Sequence, residues 1–126
     1  MTDYFPAPRY FDVVKEPIVG VSVSLVDTLL DCKEQITIGD FVSFGHGCML
    51  LTGTHDYTLQ GEARQRKFSA KPITIKKGAW IASGAIILGG VTIGENSVVG
   101  AGSVVLHDIP DNELWAGSPA VFKKKI

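Results

Sequence analysis

The sequence predicts an all-β solenoid, with short strands and tight turns, three strands to a coil, and coils stacked on one another. Three observations carry this prediction. Large apolar residues recur every six positions at Ile38, Phe44 and Leu50, then at Ile75, Ile81, Ile87, Ile93, Val99 and Val105. Two positions before each stands a second row, Ile36, Val42, Cys48, Ile73, Ala79, Ala85, Val91, Ser97 and Ser103, mostly small or β-branched. Glycine is in surplus, at 14 of 126 residues against about 7% in ordinary proteins. It follows the large residue at Gly39, Gly45, Gly94 and Gly100.

A beat of six matches neither the helical period nor a long run of plain alternation. Within a hexad the chain alternates like a strand and then turns, as in ITIGD, VTIGE and SVVGAG. One strand and one turn every six residues describe one side of a prism. Three sides make a coil of about 18 residues, and stacked coils bring each row of large residues to the interior. The competing architecture is a sandwich of regularly spaced strands, and nine large residues in phase argue against it.

A chain of 126 residues is expected to form one folding unit. The reading divides it into an N-terminal segment over 1–18, coils over 19–107 interrupted by a loop over 55–71, and a C-terminal tail over 108–126. A formal net charge of -1 and no basic stripe with interleaved aromatics exclude a nucleic-acid surface. The stretch from Gly78 to Gly94 holds no charged residue, yet it contains five glycines and keeps the six-residue beat, so it is not expected to span a membrane. Cys32 and Cys48 make neither a disulfide framework nor a zinc knuckle; they read as buried thiols. The opening MTDYFPAPRYFD shows no basic and apolar leader pattern, and a cytoplasmic location is expected.

The segment PITIKKGAWIASGAIILGGVTIGENSVVGAGSVVLHDIPDNELWAGSPA resembles the hexapeptide-repeat acetyltransferases, the group of the maltose, galactoside and nodulation-sugar O-acetyltransferases. The marks are Trp80 in the AWI segment, the VTIG and GAGSVV hexads, the DIP turn and the closing AGSPA, and the similarity runs from about Ile36 to the C-terminus. The resemblance implies a left-handed parallel β-helix, whose handedness spacing cannot reveal and which runs against the usual right-handed crossover. It also implies acetyl-CoA as acyl donor, no metal, and a homotrimer. A thin prism has a poor core for its surface, which gives trimerisation physical support.

The six-residue phase breaks between Leu50 and Ile75, which are 25 apart, so several residues leave the prism as a polar loop, THDYTLQGEARQRKFSAKP. Loops on a rigid scaffold are where function concentrates. His55 opens this loop in the context LLTGTHDY. On the residues alone it is either a solvated side chain or a base. The resemblance implies the catalytic histidine, since imidazole suits proton removal at neutral pH. Either Asp56 or a main-chain carbonyl would orient its ring. Matching the family from Trp80 places the main-chain donors for the oxyanion and the pantetheine arm at Ser83 and Ala101. Trp80 itself either walls the acyl tunnel between subunits or anchors its coil.

The chain departs from the family near the nucleotide end. Leu106 and His107 stand where relatives have threonine and lysine, and Val121 where many carry arginine. Lys123 and Lys124, with Lys125, are the replacement partners for the CoA phosphates, or else a solvated tail. The asparagine and aspartate that hold the sugar in relatives correspond to Leu25 and Lys33, so acceptor recognition does not carry over. Asp27, Asp31, Arg64 and Arg66 are available for polar contacts, and the two arginines either point to an anionic acceptor such as a nucleotide-linked sugar or belong to a solvated loop.

The expected activity is O-acetylation of a saccharide or sugar derivative, with surface-polysaccharide assembly as one setting. N-acetylation of a nucleotide-linked amino sugar and a non-catalytic β-helical scaffold are the alternatives. A gamma-type carbonic anhydrase shares the fold and holds its metal with three histidines. Here His46 and His55 are nine residues apart, which puts them on different sides of one prism, and the third histidine is His107. His46 is expected to line the acceptor pocket or to be a turn residue.

Overall fold

A computed structural model describes residues 7–126. Over these residues the fold is all-β apart from one short helix, Gly61–Arg66. Its strands, most of them two or three residues long, join three parallel ladders that the chain visits in rotation. The first ladder holds Ile18–Val19, Ile36–Ile38, Ile73–Ile75 and Thr92–Ile93. The second holds Ser43–Phe44, Trp80–Ile81, Val98–Val99 and Glu113–Gly117. The third holds Arg9–Phe11, Leu29–Asp31, Met49–Leu51, Ile86–Leu88 and Val104–Val105. The last segment, Ala120–Lys125, turns back and pairs antiparallel with Glu113–Gly117.

Both rows read from the sequence lie in the core. All nine large residues and all nine of their smaller companions are buried. The two serines among them are satisfied, as buried hydroxyls must be. Ser97 Oγ donates to the Pro110 carbonyl at 2.5 Å and accepts from the Glu113 N–H at 3.2 Å. Ser103 Oγ accepts from the Gly117 N–H at 3.1 Å.

Pairing intervals show why the six-residue beat is visible only in part. Ile75 pairs with Ile93, 18 residues on, and Ile81 with Val99 likewise. Upstream, Val19 pairs with Ile38 at an interval of 19 and Leu30 with Leu50 at 20. Those one or two extra residues sit at corners and break the phase without breaking the ladders. For the same reason Arg9–Phe11 and Glu113–Gly117, which the beat leaves outside the coils, extend two of the ladders. Residues 1–6 of the N-terminal segment lie outside the described residues.

The loop is longer than the phase break alone implies. Leu50 belongs to the third ladder and Ile75 to the first, so their regular separation is one side, not one coil. Ile38 pairs with Ile75 at an interval of 37, 19 more than the regular 18, and the excursion accounts for all 19.

The outer surfaces of the ladders differ in character. The first shows Thr37, Thr74 and Thr92 in register. The third shows two apolar columns, one of Leu29, Met49, Ile86 and Val104, the other of Leu51 and Leu88. All six of these side chains are only half-buried. Parallel sheets are ordinarily covered on both faces.

Glycine after the large residue is explained by the neighbouring coil. A Cβ at Gly94 would lie 2.5 Å from the Pro110 carbonyl carbon and collide with the Asp111 nitrogen, both main-chain atoms. Gly94→Ala is therefore expected to destabilise the fold by about 1–3 kcal/mol, read from the chemical-denaturation midpoint; an unchanged midpoint would contradict the close stacking.

Candidate active site

The excursion leaves the third ladder after Leu51, and its root is fixed by a polar cluster. Thr52 is buried; its Oγ1 donates to the Asp31 carbonyl at 2.7 Å and accepts from the Glu34 N–H at 3.2 Å. The Asp31 carboxylate, 7% exposed, accepts from the Gly53 N–H at 3.1 Å and from Lys33 Nζ at 3.0 Å. Lys33 also reaches Asp12 at 3.0 Å. The hydrogen bond to Asp12, then the one to Asp31, raises the Lys33 pKa and keeps its ammonium charged. From this root the chain forms a hairpin, Gly53–His55 against Phe68–Ala70, with His55 opposite Phe68.

His55 is thus delivered by a strand rather than a free loop, and its ring is oriented by the main chain. Nδ1 lies 2.9 Å from the Arg64 carbonyl oxygen and 3.3 Å from that of Lys67. Carbonyls only accept, so Nδ1 must carry the hydrogen, and in the neutral ring Nε2 is left with its lone pair. The Phe68 ring stands edge-on to the imidazole at 6.3 Å and 65°. Together Lys33, Gly53, Thr54, His55 and Phe68 line a cleft at the base of the hairpin.

Of the two orienting groups weighed from sequence, Asp56 is otherwise engaged. Its Oδ1 accepts from the Thr58 hydroxyl at 2.5 Å and the Thr58 N–H at 3.0 Å. The hydroxyl bond first, then the amide bond, hold the Asp56 carboxyl below the usual carboxylate range. The arginines are engaged as well. Arg64 closes the loop by donating to the Leu59 carbonyl at 2.7 Å and the Tyr57 carbonyl at 3.0 Å. Arg66 pairs with Glu62 at 2.6 Å on the short helix.

Ser83 and Ala101 lie on another edge, at the corner between the second and third ladders. They stack with His46 there. The Gly84 N–H donates to the His46 carbonyl at 2.8 Å, and the Gly102 N–H to the Ser83 carbonyl at 2.9 Å. The His46 N–H donates to Ser83 Oγ at 3.0 Å. Gly47, Gly84 and Gly102 turn this corner at φ of 70°, 74° and 69°, a conformation that favours glycine. Among the described residues, the main-chain N–H groups of Ser83 and Ala101 have no acceptor. Both residues are exposed.

Trp80 is 53% exposed on the outer side of the second ladder. In register below it come Val98, Leu114 and Lys124. Three ladder steps of about 4.8 Å put Lys124 about 14 Å from Trp80 on the same face. Lys123 sits at the bulge in that return strand, also exposed. The second face and its corner therefore gather Trp80, Ser83, Ala101 and Lys124. His55 stands apart, beyond the third face. One chain does not bring all five together. His107 is exposed at the corner that carries the hairpin, whereas His46 is at the opposite edge of the third face.

Similarity to known proteins agrees with this geometry. The family model described as bacterial transferase hexapeptide (six repeats) matches residues 72–107. A galactoside O-acetyltransferase of Lactococcus lactis is 38% identical over 107 residues, 85% of this chain and 51% of the relative. The chain belongs to the hexapeptide-repeat acetyltransferase family. It spans about half the length of the curated relatives it matches. Among solved structures, a hexapeptide-repeat acetyltransferase of Vibrio cholerae complexed with acetyl coenzyme A superposes with a TM-score of 0.85 at 31% identity, covering 94% of this chain and 64% of that one. A galactoside acetyltransferase in complex with coenzyme A gives 0.84 at 33%, covering 94% and 60%.

Sequence reasoning offered a main-chain carbonyl without naming those of Arg64 and Lys67, and it missed the cluster of Asp31, Lys33 and Thr52. Main-chain carbonyls leave no trace in residue type, and the cluster joins residues about 20 positions apart. Nitrogen NMR of the His55 ring tests the tautomer: the neutral form is expected to carry hydrogen on Nδ1, and an Nε2–H signal would contradict the orientation.

Proposed function

We propose that this chain is an acetyl-CoA-dependent O-acetyltransferase acting on a saccharide or sugar derivative, built as a homotrimer of left-handed β-helices. The observation that carries the reading is the His55 ring, which lines a cleft with its Nδ1–H spent on main-chain carbonyls and its Nε2 without a hydrogen-bond partner among the described residues. The galactoside acetyltransferases among its relatives supply the acceptor class, and the acetyl-CoA and CoA complexes of its structural neighbours supply the donor.

The apolar columns of the third face support assembly. Exposed contiguous apolar surface marks an interface. Rotation about an axis parallel to the coil, with third faces buried, sets one edge of that face beside the opposite edge on the next copy. His55 of one copy then faces Ser83 and Ala101 of its neighbour. A reducing compartment such as the cytoplasm suits the two unpaired, buried cysteines.

In this mechanism acetyl-CoA is a substrate. Nε2 of His55 removes the proton of the acceptor hydroxyl as its oxygen attacks the thioester carbonyl carbon. The N–H groups of Ser83 and Ala101 on the neighbouring copy donate to the oxyanion. Collapse expels the CoA sulfur, which takes the proton from the imidazolium, and the acetyl ester leaves. Trp80 walls the path of the pantetheine arm, and Lys123 and Lys124 meet the phosphates as point charges.

His55→Ala is expected to lower thiol release from acetyl-CoA by about 10²–10⁴-fold while acetyl-CoA binding persists. Retained turnover would exclude His55 as the base. Ile86→Lys, which puts a charge on the third face, is expected to give a folded monomer by sedimentation with turnover lost; an active monomer would contradict the shared site.

A further inference from the structure

We infer that the acceptor lies between the His55 hairpin and the segment Asp12–Val14, and that it is a deoxysugar unit without an acidic group. This rests on the acetyltransferase reading and narrows it.

The cleft beneath His55 shares Lys33 and Phe68 with a second hollow lined by Asp12, Val13 and Val14. One trough therefore runs from the imidazole to the N-terminal segment. Apolar side chains stand along it, Phe68 where the two hollows meet and Val13 and Val14 at the N-terminal end. Val14 is 74% exposed, and Val13 and Phe68 are exposed as well.

The valines are held in place. The Val14 N–H donates to the Asp12 carbonyl at 2.7 Å and to the Cys32 carbonyl at 3.1 Å, and the Lys15 N–H reaches the same Cys32 oxygen at 3.2 Å. Lys15 is paired with Glu34 at 2.5 Å. Asp12 adopts a φ of 47°, a left-handed conformation that costs a non-glycine residue energy and is found where the surroundings enforce it. The turn presents two valines to solvent beside a catalytic cleft. An acceptor carrying a methyl or methylene in place of a hydroxyl would cover them, whereas a fully hydroxylated ring would set hydroxyls against groups that cannot bond them.

The trough offers an acidic acceptor no unpaired lysine or arginine. Lys33 bridges Asp12 and Asp31, so two carboxylates face one ammonium at the floor of the trough. Arg64 and Arg66, the cations that sequence offers for an anion, are held by Tyr57 and Leu59 carbonyls and by Glu62. A phosphate or carboxylate in the trough would have to compete with Asp12 and Asp31 for Lys33, the lysine that lines it.

The test uses the full chain with acetyl-CoA and matched acceptors: galactose against 6-deoxygalactose, glucose against 6-deoxyglucose, and glucose against glucuronate. The 6-deoxy member is expected to show a kcat/KM about tenfold higher than its parent, and glucuronate the lowest value. Val14→Ser, a change at an exposed side chain, is expected to bring the deoxy-to-parent ratio close to one. Parent sugars that equal or surpass their deoxy forms, or a ratio that Val14→Ser leaves intact, would overturn the inference. Acetyl-CoA binding without turnover on any deoxysugar would overturn it and leave the donor reading standing. Absence of acetyl-CoA binding would overturn both.

Discussion

Strands of two or three residues have no stability of their own, and here those of the coils are held by the strands above and below them on the same ladder. Every side of the coil must therefore land on its counterpart, and the chain may add residues only at corners. That constraint fixes the core, because each return places one large side chain and one small companion inside. It also fixes the glycines, because corners of successive coils approach until a Cβ at Gly94 would strike Pro110 and Asp111. Even the 19-residue excursion obeys it: the chain leaves after Leu51, and Leu50 still pairs with Ile87 on the coil below. A long insertion on an unbroken ladder is a rigid mount for the His55 side chain.

The mount is completed by hydrogen bonds between residues distant in sequence. Asp31 holds Gly53, Thr52 is shared by Asp31 and Glu34, and Lys33 ties Asp31 to Asp12. The hairpin above it and the Arg64 and Lys67 carbonyls then set the imidazole. Precision of this kind is needed where a proton must be removed along one direction as a bond forms.

The core was legible because the repeat is written in side chains: eighteen positions read at an interval of six are all buried. The upstream coils were less so, since intervals of 19 and 20 slip the phase while Leu30 and Val19 keep their ladders. His55 could be singled out as the histidine opening a polar loop in the family's TGH-like context. Its orientation could not, because carbonyls belong to every residue type. The sequence offered Asp56 and the arginines as polar groups for hire, and the folded chain spends them on Thr58, on loop carbonyls and on Glu62. Local turn chemistry claimed them first.

In the proposed trimer, what one copy lacks its neighbour supplies. His55, the proposed base, sits at one edge of an apolar face and the N–H groups of Ser83 and Ala101 at the other, so the proposed reaction needs that face covered by a second copy. Subunit mixing tests this central claim most directly. His55→Ala keeps the donor corner, and Ala101→Pro keeps the histidine but deletes one N–H; each alone is expected to be inactive. Unfolded together and refolded as mixed trimers in equal amounts, they are expected to regain about a quarter of wild-type turnover, since one site in four would then pair an intact base with an intact corner. Mixed trimers without any regained turnover would contradict a site shared between copies.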